Sequence, residues 1–338
     1  MNRIILADLH FDSDPLTEYR WDIFYNIKRI ISKYTSIDFI DILGDLTEKK
    51  DKHDSALVNR ITYHLQDLVG TTHAKVRILM GNHDYINEDE PFFEFLNQID
   101  GVYFISHPLK NGDTFFIPNS KNLVIPNEGL EGTNFLYLHQ PFKGSVAQGG
   151  FILQEGADPS LVENLSCTIY SGDIHSPQKV GNINYVGAPY HVYFGDNYDG
   201  RAIVISHNKV YSEPLVFPKR HSVIIRKIGD LDLLNFNNGD QIKFKIELEK
   251  TKFHLWDTWK GIVRDFCTDK GLNLVSTELK PLYAVEELKI LNSDGEYVIK
   301  DSKEIIDRFA ENEKLTDEFV EIAYEVVNET EKAKNKRV

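Results

Sequence analysis

The sequence predicts a layered α/β sandwich. Three observations carry that expectation. Short β-branched runs alternate with helical patterns up to Gly101, giving the order β-α-β-α-β-α. Beyond Gly101 the pattern becomes short strands separated by Asn, Gly and Pro. The chain of 338 residues, 41% of them hydrophobic, can bury the core that such layers need.

The elements follow in order. A first strand is expected at residues 4–7. Pro15 then opens a helix, with Ile23, Ile27, Ile30, Ile31 and Tyr34 on one face at helical spacing. Residues 39–43 read as the next strand, about 55–69 as a helix, 76–80 as a third strand, and "PFFEFLNQI" from Pro91 as another helix. The runs "FFIPNS", "NLVIP", "NFLYLH", "CTIYSG", "INYVG" and "RAIVIS" then read as strands with tight connections.

A boundary is expected near "EPLVFPKRH". Past it, "QIKFKIEL" alternates as a half-buried strand does, "HLWDTWKGIVRDFCTDKG" is helical and ended by Gly271, and "LNLVSTEL" is a strand. The expected division is a main domain over 1–217, a small α/β unit over 218–296 and a charged tail over 297–338. In the tail, Ile305, Ile306 and Phe309 form one apolar patch; Phe319, Ile322, Ala323, Val326 and Val327 form another. Two short amphipathic helices fit that spacing.

The formal charge of −14 argues against broad attraction to nucleic acid. Carboxylates that bind metals count as negative in that tally, however, while their cations reverse the local field. The two cysteines, Cys167 and Cys267, have no paired spacing, which fits a reduced, cytoplasmic compartment. The apolar run after Met1 is too short for a signal peptide, and no stretch approaches the roughly 18 apolar residues of a membrane helix.

Ligand-capable side chains recur just after the expected strands. They are Asp8 and His10 in "LADLHFD", Asp45 in "ILGDLTE", Asn82, His83 and Asp84 in "LMGNHDY", His139 in "NFLYLHQP", and Asp173 and His175 in "YSGDIHS". Side chains at strand ends converge along one edge of a sheet, where α/β proteins place their sites. Singly, a D-x-H or a G-D turn says little; the ordered set of five carries the inference. Mixed imidazole, carboxylate and amide donors suit manganese, iron or zinc better than calcium or magnesium. One carboxylate, Asp45, is the natural bridge between two ions. Such a pair can hold a phosphate, activate water and stabilise a leaving oxygen. His53, His73, His107 and His191 are isolated and read as structural.

The pattern D-x-H, G-D, G-N-H-[DE], a later His, then a closing motif resembles the calcineurin-like metallophosphoesterase superfamily. The resemblance implies a four-layer α/β/β/α sandwich. It implies one metal held by Asp8, His10, Asp45 and His175, and a second held by Asp45, Asn82, His139 and Asp173. His83 would be the catalytic acid near the leaving oxygen, oriented by Asp84.

Within the superfamily, "YVGAPYHVYFGDNYDGRAIVI", the small α/β unit and the acidic tail resemble the SbcD-type branch. That branch implies a DNA phosphodiesterase, the nuclease subunit of a recombination and repair complex. The small unit would cap DNA, and the tail would dock on an SbcC-type coiled-coil ATPase. Helices near 55–69 and 91–98 would form a homodimer interface. Two divalent ions, Mn2+ or else Mg2+, would be the cofactors. The alternatives are a small-molecule or cyclic-nucleotide phosphoesterase, and a weakly active scaffold for the ATPase.

Two residues depart from the branch. Glu48 stands where it carries a phosphate-positioning histidine, and Asp173 stands where G-H-x-H has its first histidine. A carboxylate at 173 favours manganese or magnesium over zinc at the second ion.

Overall fold

The computed structural model describes residues 1–50, 52–126 and 128–282, together with 306, 307, 320, 321 and 324. The tail helices expected over 297–338 therefore lie almost wholly outside the described residues.

Two six-stranded sheets form the centre. Their strands are β1 (Arg3–Leu6), β2 (Phe39–Leu43), β3 (Lys75–Leu79), β4 (Val102–Ile105), β5 (Leu109–Asn111), β6 (Thr114–Ile117), β7 (Phe135–His139), β8 (Thr168–Gly172), β9 (Gln178–Val180), β10 (Ile183–Tyr185), β11 (Arg201–Ser206) and β12 (Lys209–Pro214). The first sheet runs β12-β11-β1-β2-β3-β4 and the second β5-β6-β7-β8-β10-β9. Strands β1 to β4 are parallel, as are β6, β7, β8 and β10. The carboxyl ends of each parallel set therefore share one edge.

The strands are buried on both faces, as parallel strands must be, so they read as continuous apolar runs. Alternation still sorts their side chains. Ile4, Leu6, Ile40, Ile42, Val76 and Ile78 pack under two helices, α1 (Asp22–Ile31) and α2 (Ser55–Thr72). Ile5, Leu43, Leu79, Phe116, Tyr137 and Tyr170 fill the space between the sheets. A third cluster covers the far face of the second sheet. There Phe115, Ile117, Leu136 and Ile169 meet loop residues such as Leu123, Ile125 and Val162. The α/β layering is as the sequence predicts, and this outermost layer is built of loops.

Three local expectations need correction. Pro15 opens a 3₁₀ helix, Pro15–Trp21, and α1 starts only after it; the Asp14 carboxylate caps the entry by accepting from the Leu16 N–H. "PFFEFLNQ" is a 3₁₀ helix, Phe92–Gln98, whose buried residues Phe93 and Leu96 stand three apart, the spacing at which 3₁₀ side chains eclipse. "NLVIP" is a loop: Leu123 and Ile125 are packed by burial alone, with no strand ladder.

By compactness the chain divides into Met1–Ile246 with Trp256–Leu279, and Glu247–Leu255 with Lys280–Val338. The first unit holds both large sheets. It also holds β13 (Arg220–Ile225), missed in the sequence pattern, and α3 (Trp256–Asp269). β13 pairs in parallel with β14 (Gln241–Glu249), and β15 (Asn273–Leu282) completes a three-stranded sheet in the order β13-β14-β15. Among the described residues of the second unit, the Lys280 ammonium donates to Glu247 at 2.7 Å.

Candidate metal centre

The site lies where the loops after β1, β2, β3, β7 and β8 meet. Asp8, His10, Asp45 and Asp173 all have positive φ, at 56°, 44°, 53° and 81°. Non-glycine residues reach this left-handed region only at a cost, and they persist where surrounding bonds over-determine them. Those bonds are present. Asp8 N–H donates to Gly44 at 3.1 Å, His10 N–H to Asp45 at 2.9 Å, and Asp173 N–H to the Asp8 carboxylate at 2.9 Å. Glycine is required beside them. A Cβ on Gly81 would overlap the Asp45 backbone nitrogen and carboxylate, and one on Gly172 would strike the Leu43 carbonyl and the His139 ring.

All the metal-ligand candidates of the sequence come together. Asp8, His10 and His175 offer ligand atoms within 4.8 Å of one another, as do Asp8, Asp45 and His139, and His10, Asp45 and His83. Asp45 faces both ways: one carboxylate oxygen lies 3.3 Å from His139 Nε2 and the other 3.5 Å from His10 Nε2. Asp173 stands outside the three groups, its Oδ1 3.9 Å from His139 Nε2.

The rings are fixed by their other nitrogens. His139 Nδ1 meets the Leu43 carbonyl at 2.6 Å, and a carbonyl only accepts, so Nδ1 carries a proton and Nε2 is the atom turned toward the site. His10 Nδ1 makes no hydrogen bond but lies 3.2 Å from Glu48 Oε2, and Nε2 faces inward, 3.1 Å from His175 Nε2. His175 stacks on Tyr193 with ring centroids 5.2 Å apart.

Negative charge in the site is only partly compensated. Burial pushes Asp8 well above the ordinary carboxylate range, although His139 opposes it. Burial pushes Asp173 up to about 6, against the pull of His139. Burial would also raise Asp45, but His139 and His10 outweigh it and hold the carboxyl well below its usual range. His139 would be lowered by burial, yet Asp45 and Asp8 hold it well above the usual imidazole range. Burial keeps His175 well below, hence neutral and a competent donor.

The residues fit a pair of cations. Asp8 Oδ2 is buried with no hydrogen-bond partner. The Asn82 oxygen faces His139 Nε2 at 2.9 Å. Turned over, the amide nitrogen would reach His139 Nε2, Asp45 and Asp173 at 2.9, 3.3 and 3.3 Å. With the oxygen inward, Asn82 faces a site where Asp8, Asp45 and Asp173 crowd around one protonated imidazole, an excess of negative charge that cations would satisfy.

Two expected roles differ in detail. Asp84 is wholly buried, and its carboxylate accepts from the N–H groups of Asp45, Leu46 and Gly81 at 3.0, 2.9 and 2.8 Å. It braces the metal-ligand loops rather than orienting the His83 ring. Burial and the Asp45 charge push it up to about 7, while its N–H donors oppose the shift. The His83 ring is oriented instead by the Glu48 backbone carbonyl, 2.6 Å from Nδ1. The Glu48 side chain turns to His10, and burial is outweighed by His10 in holding it below the usual range. Among the isolated histidines, His191 Nδ1 accepts from the Arg220 N–H at 3.1 Å and its Nε2 meets the Tyr198 carbonyl at 2.9 Å, a bracing role.

Arg20 escaped the sequence reading. It is buried, donates to the His10 carbonyl and lies 4.0 Å from Glu48. No local motif marks it, since it reaches the site from the 3₁₀ helix.

The family described as calcineurin-like phosphoesterase matches residues 1–236. The chain belongs to that family. A calcineurin-like phosphoesterase is a metal-dependent phosphoester hydrolase with a dinuclear divalent site, and the ligand-capable residues above are the candidates for it. No curated protein matches the chain. Among solved structures, the nuclease MPE of Pseudomonas putida is 13% identical, over 62% of this chain and 86% of that one, with a TM-score of 0.33.

This phosphoesterase has a cleft with two lobes at the site. One, of about 640 Å³, is lined by Asp45, His83, His175, Tyr193 and the hairpin around Gly149. The other, of about 570 Å³, is lined by Tyr85, Asn119, Lys121 and Gln140. Asn82 and Asp173 line both. No helix of the described residues is long and apolar enough to cross a membrane.

Proposed function

We propose that this phosphoesterase is a dinuclear-metal-dependent DNA phosphodiesterase, the nuclease subunit of an SbcC–SbcD-like complex. The observation that carries the reading is the two-lobed cleft. A phosphodiester has a substituent on each side of phosphorus, and here open space of about 640 and 570 Å³ flanks the shared residues Asn82 and Asp173. A monoester needs only one side.

In this reading Asp8, His10, Asp45 and His175 hold one ion, and Asp45, Asn82, His139 and Asp173 the other. When bound, the two ions supply Lewis-acid charge to the phosphate and lower the pKa of water. Manganese is the favoured metal, for the hard oxygen donor at 173. The protein's own contribution is orientation and one proton. With His83 Nδ1 committed to the Glu48 carbonyl, Nε2 is the atom left to protonate the leaving sugar oxygen. Asp84 positions the loop that carries His83. The unit over 218–296 caps DNA, the tail over 297–338 docks on a coiled-coil ATPase, and two chains pair as a homodimer. The partner supplies the basic surface that a chain of charge −14 lacks.

The test is the purified chain with Mn2+ on single- and double-stranded DNA, against p-nitrophenyl phosphate and cyclic nucleotides. Higher kcat/KM on DNA is expected, and His83→Ala should lose most cleavage while keeping both ions. Hydrolysis of the monoester or cyclic nucleotides with DNA untouched would place the chain in another branch. Fewer than one tightly held ion per chain and no hydrolysis would favour a scaffold.

A further inference from the structure

The second lobe of the cleft is more than a vacancy beside the metal centre. Gln140 directly follows His139 and is 7% exposed. Among the described residues its side chain has one hydrogen bond, a long 3.4 Å contact in which Oε1 accepts from Asn119. Its amide N–H groups have no partner there. That amide lines an open pocket, so its donors are free to meet a ligand. Its neighbour is held rigidly: Asn119 donates to the His139 carbonyl at 2.8 Å and accepts from the Tyr85 hydroxyl at 2.7 Å. Lys121 is exposed at the rim.

We infer that this lobe is the subsite for one nucleoside of the substrate, the one that stays on the phosphate after cleavage. The inference rests on the phosphodiesterase reading and deepens it. Gln140 presents donors and an acceptor to a base edge, as amide side chains do. Tyr85 offers a ring beside it. Lys121 meets the next phosphate along the strand. The other nucleoside leaves through the lobe lined by His83.

The test uses Gln140→Leu and Lys121→Ala in the Mn2+-loaded full chain, with three probes. The first two are a single-stranded oligonucleotide and bis(p-nitrophenyl) phosphate, a diester with no base. The third is calorimetric binding of 2′-deoxynucleoside 5′-monophosphates, which needs no turnover. For each variant, oligonucleotide KM should rise by roughly tenfold, the worth of one lost hydrogen bond or ion pair; mononucleotide affinity should fall as much for Gln140→Leu but hold for Lys121→Ala, because a mononucleotide has no next phosphate. Bis(p-nitrophenyl) phosphate hydrolysis should stay within about twofold of the parent, since the metal ligands are untouched. Gln140→Glu, which keeps the volume but changes the donors, should alter the ranking of the four mononucleotides. The inference falls if mononucleotides bind Gln140→Leu as they bind the parent. It falls too if bis(p-nitrophenyl) phosphate hydrolysis drops in parallel, because Gln140 would then merely support His139. A parent that binds mononucleotides through Gln140 but leaves DNA intact would keep the subsite and overturn only the nuclease reading.

Discussion

Two polar clusters are buried between the same two sheets, toward opposite ends of the strands. Toward the amino ends, every guanidinium meets a carboxylate. Arg77 binds Asp41 through two bonds of 2.6 and 2.9 Å, and Arg3 binds Asp113 at 2.7 and 2.9 Å. Aromatic rings cover both, with Arg77 3.8 Å from the Phe39 ring centroid and Arg3 4.3 Å from that of Phe135. At the carboxyl ends, Asp8, Asp45 and Asp173 face imidazoles and one another, and one oxygen of Asp8 has no partner. The first cluster is neutralised pair by pair, although Arg3 Nε makes no hydrogen bond, and its Arg3–Asp113 pair links the two sheets. The second is open, and cations complete it. Burial alone does not mark a functional site; buried charge left uncompensated does.

Substitutions should separate the two. Asp45→Ala has the largest expected effect, a loss of catalysis on the order of 10³-fold or more with the circular dichroism of the fold retained. Retained catalysis would mean that the open cluster is not the active site. Asp41→Asn should act in reverse. Breaking a buried pair costs about 3–5 kcal/mol in denaturant melts, while metal stoichiometry stays as in the parent.

Glu48→Ala should weaken metal affinity by about 10–100-fold through the loss of the carboxylate that orients His10, and Glu48→Gln should recover part of it. Equal metal affinity in all three chains would leave Glu48 no part in positioning. A phosphate-positioning role would instead raise KM at unchanged metal affinity.

The smallest effect is in pH. Burial would raise Asp113, but Arg3 holds it below its usual value of 3.8, so its contribution is present above that pH and lost as pH falls further. Asp173 is raised to about 6, so its ionisation costs stability, with the cost absent below 3.8 and complete above about 6. In EDTA, Asp173→Asn should therefore gain stability over the parent as pH rises from about 4 to 6, and the difference should then level off. A difference independent of pH would show that burial does not penalise the Asp173 charge.

The ligands were legible because each follows an apolar run within a few residues. D-x-H, G-D and G-N-H-D are local, and Gly81 and Gly172 belong to the same turns because backbone and ligand rings approach there. Roles set by distant partners were not legible. Asp84 looks like a partner for adjacent His83, yet its bonds run to the loop after β2. Glu48 looks like an exposed helix-start glutamate or a phosphate contact, yet it reaches His10 on another loop. Gln140 and Asn119 carry no motif at all. Arg3, Asp41 and Arg77 sit in strands as charges do on a wet face, and only the second sheet explains their burial. The 3₁₀ helix at Phe92–Gln98 and the loop at "NLVIP" show the same limit in the fold: apolar content fixed burial but not backbone pairing.

The central claim is that the open cluster holds two ions bridged by Asp45. Electron paramagnetic resonance of the chain titrated with Mn2+ tests it most directly. Two ions per chain with the spectrum of an exchange-coupled pair are expected, and Asp45→Ala should abolish the coupling. A single ion per chain, or two ions with no coupling in the parent, would contradict it.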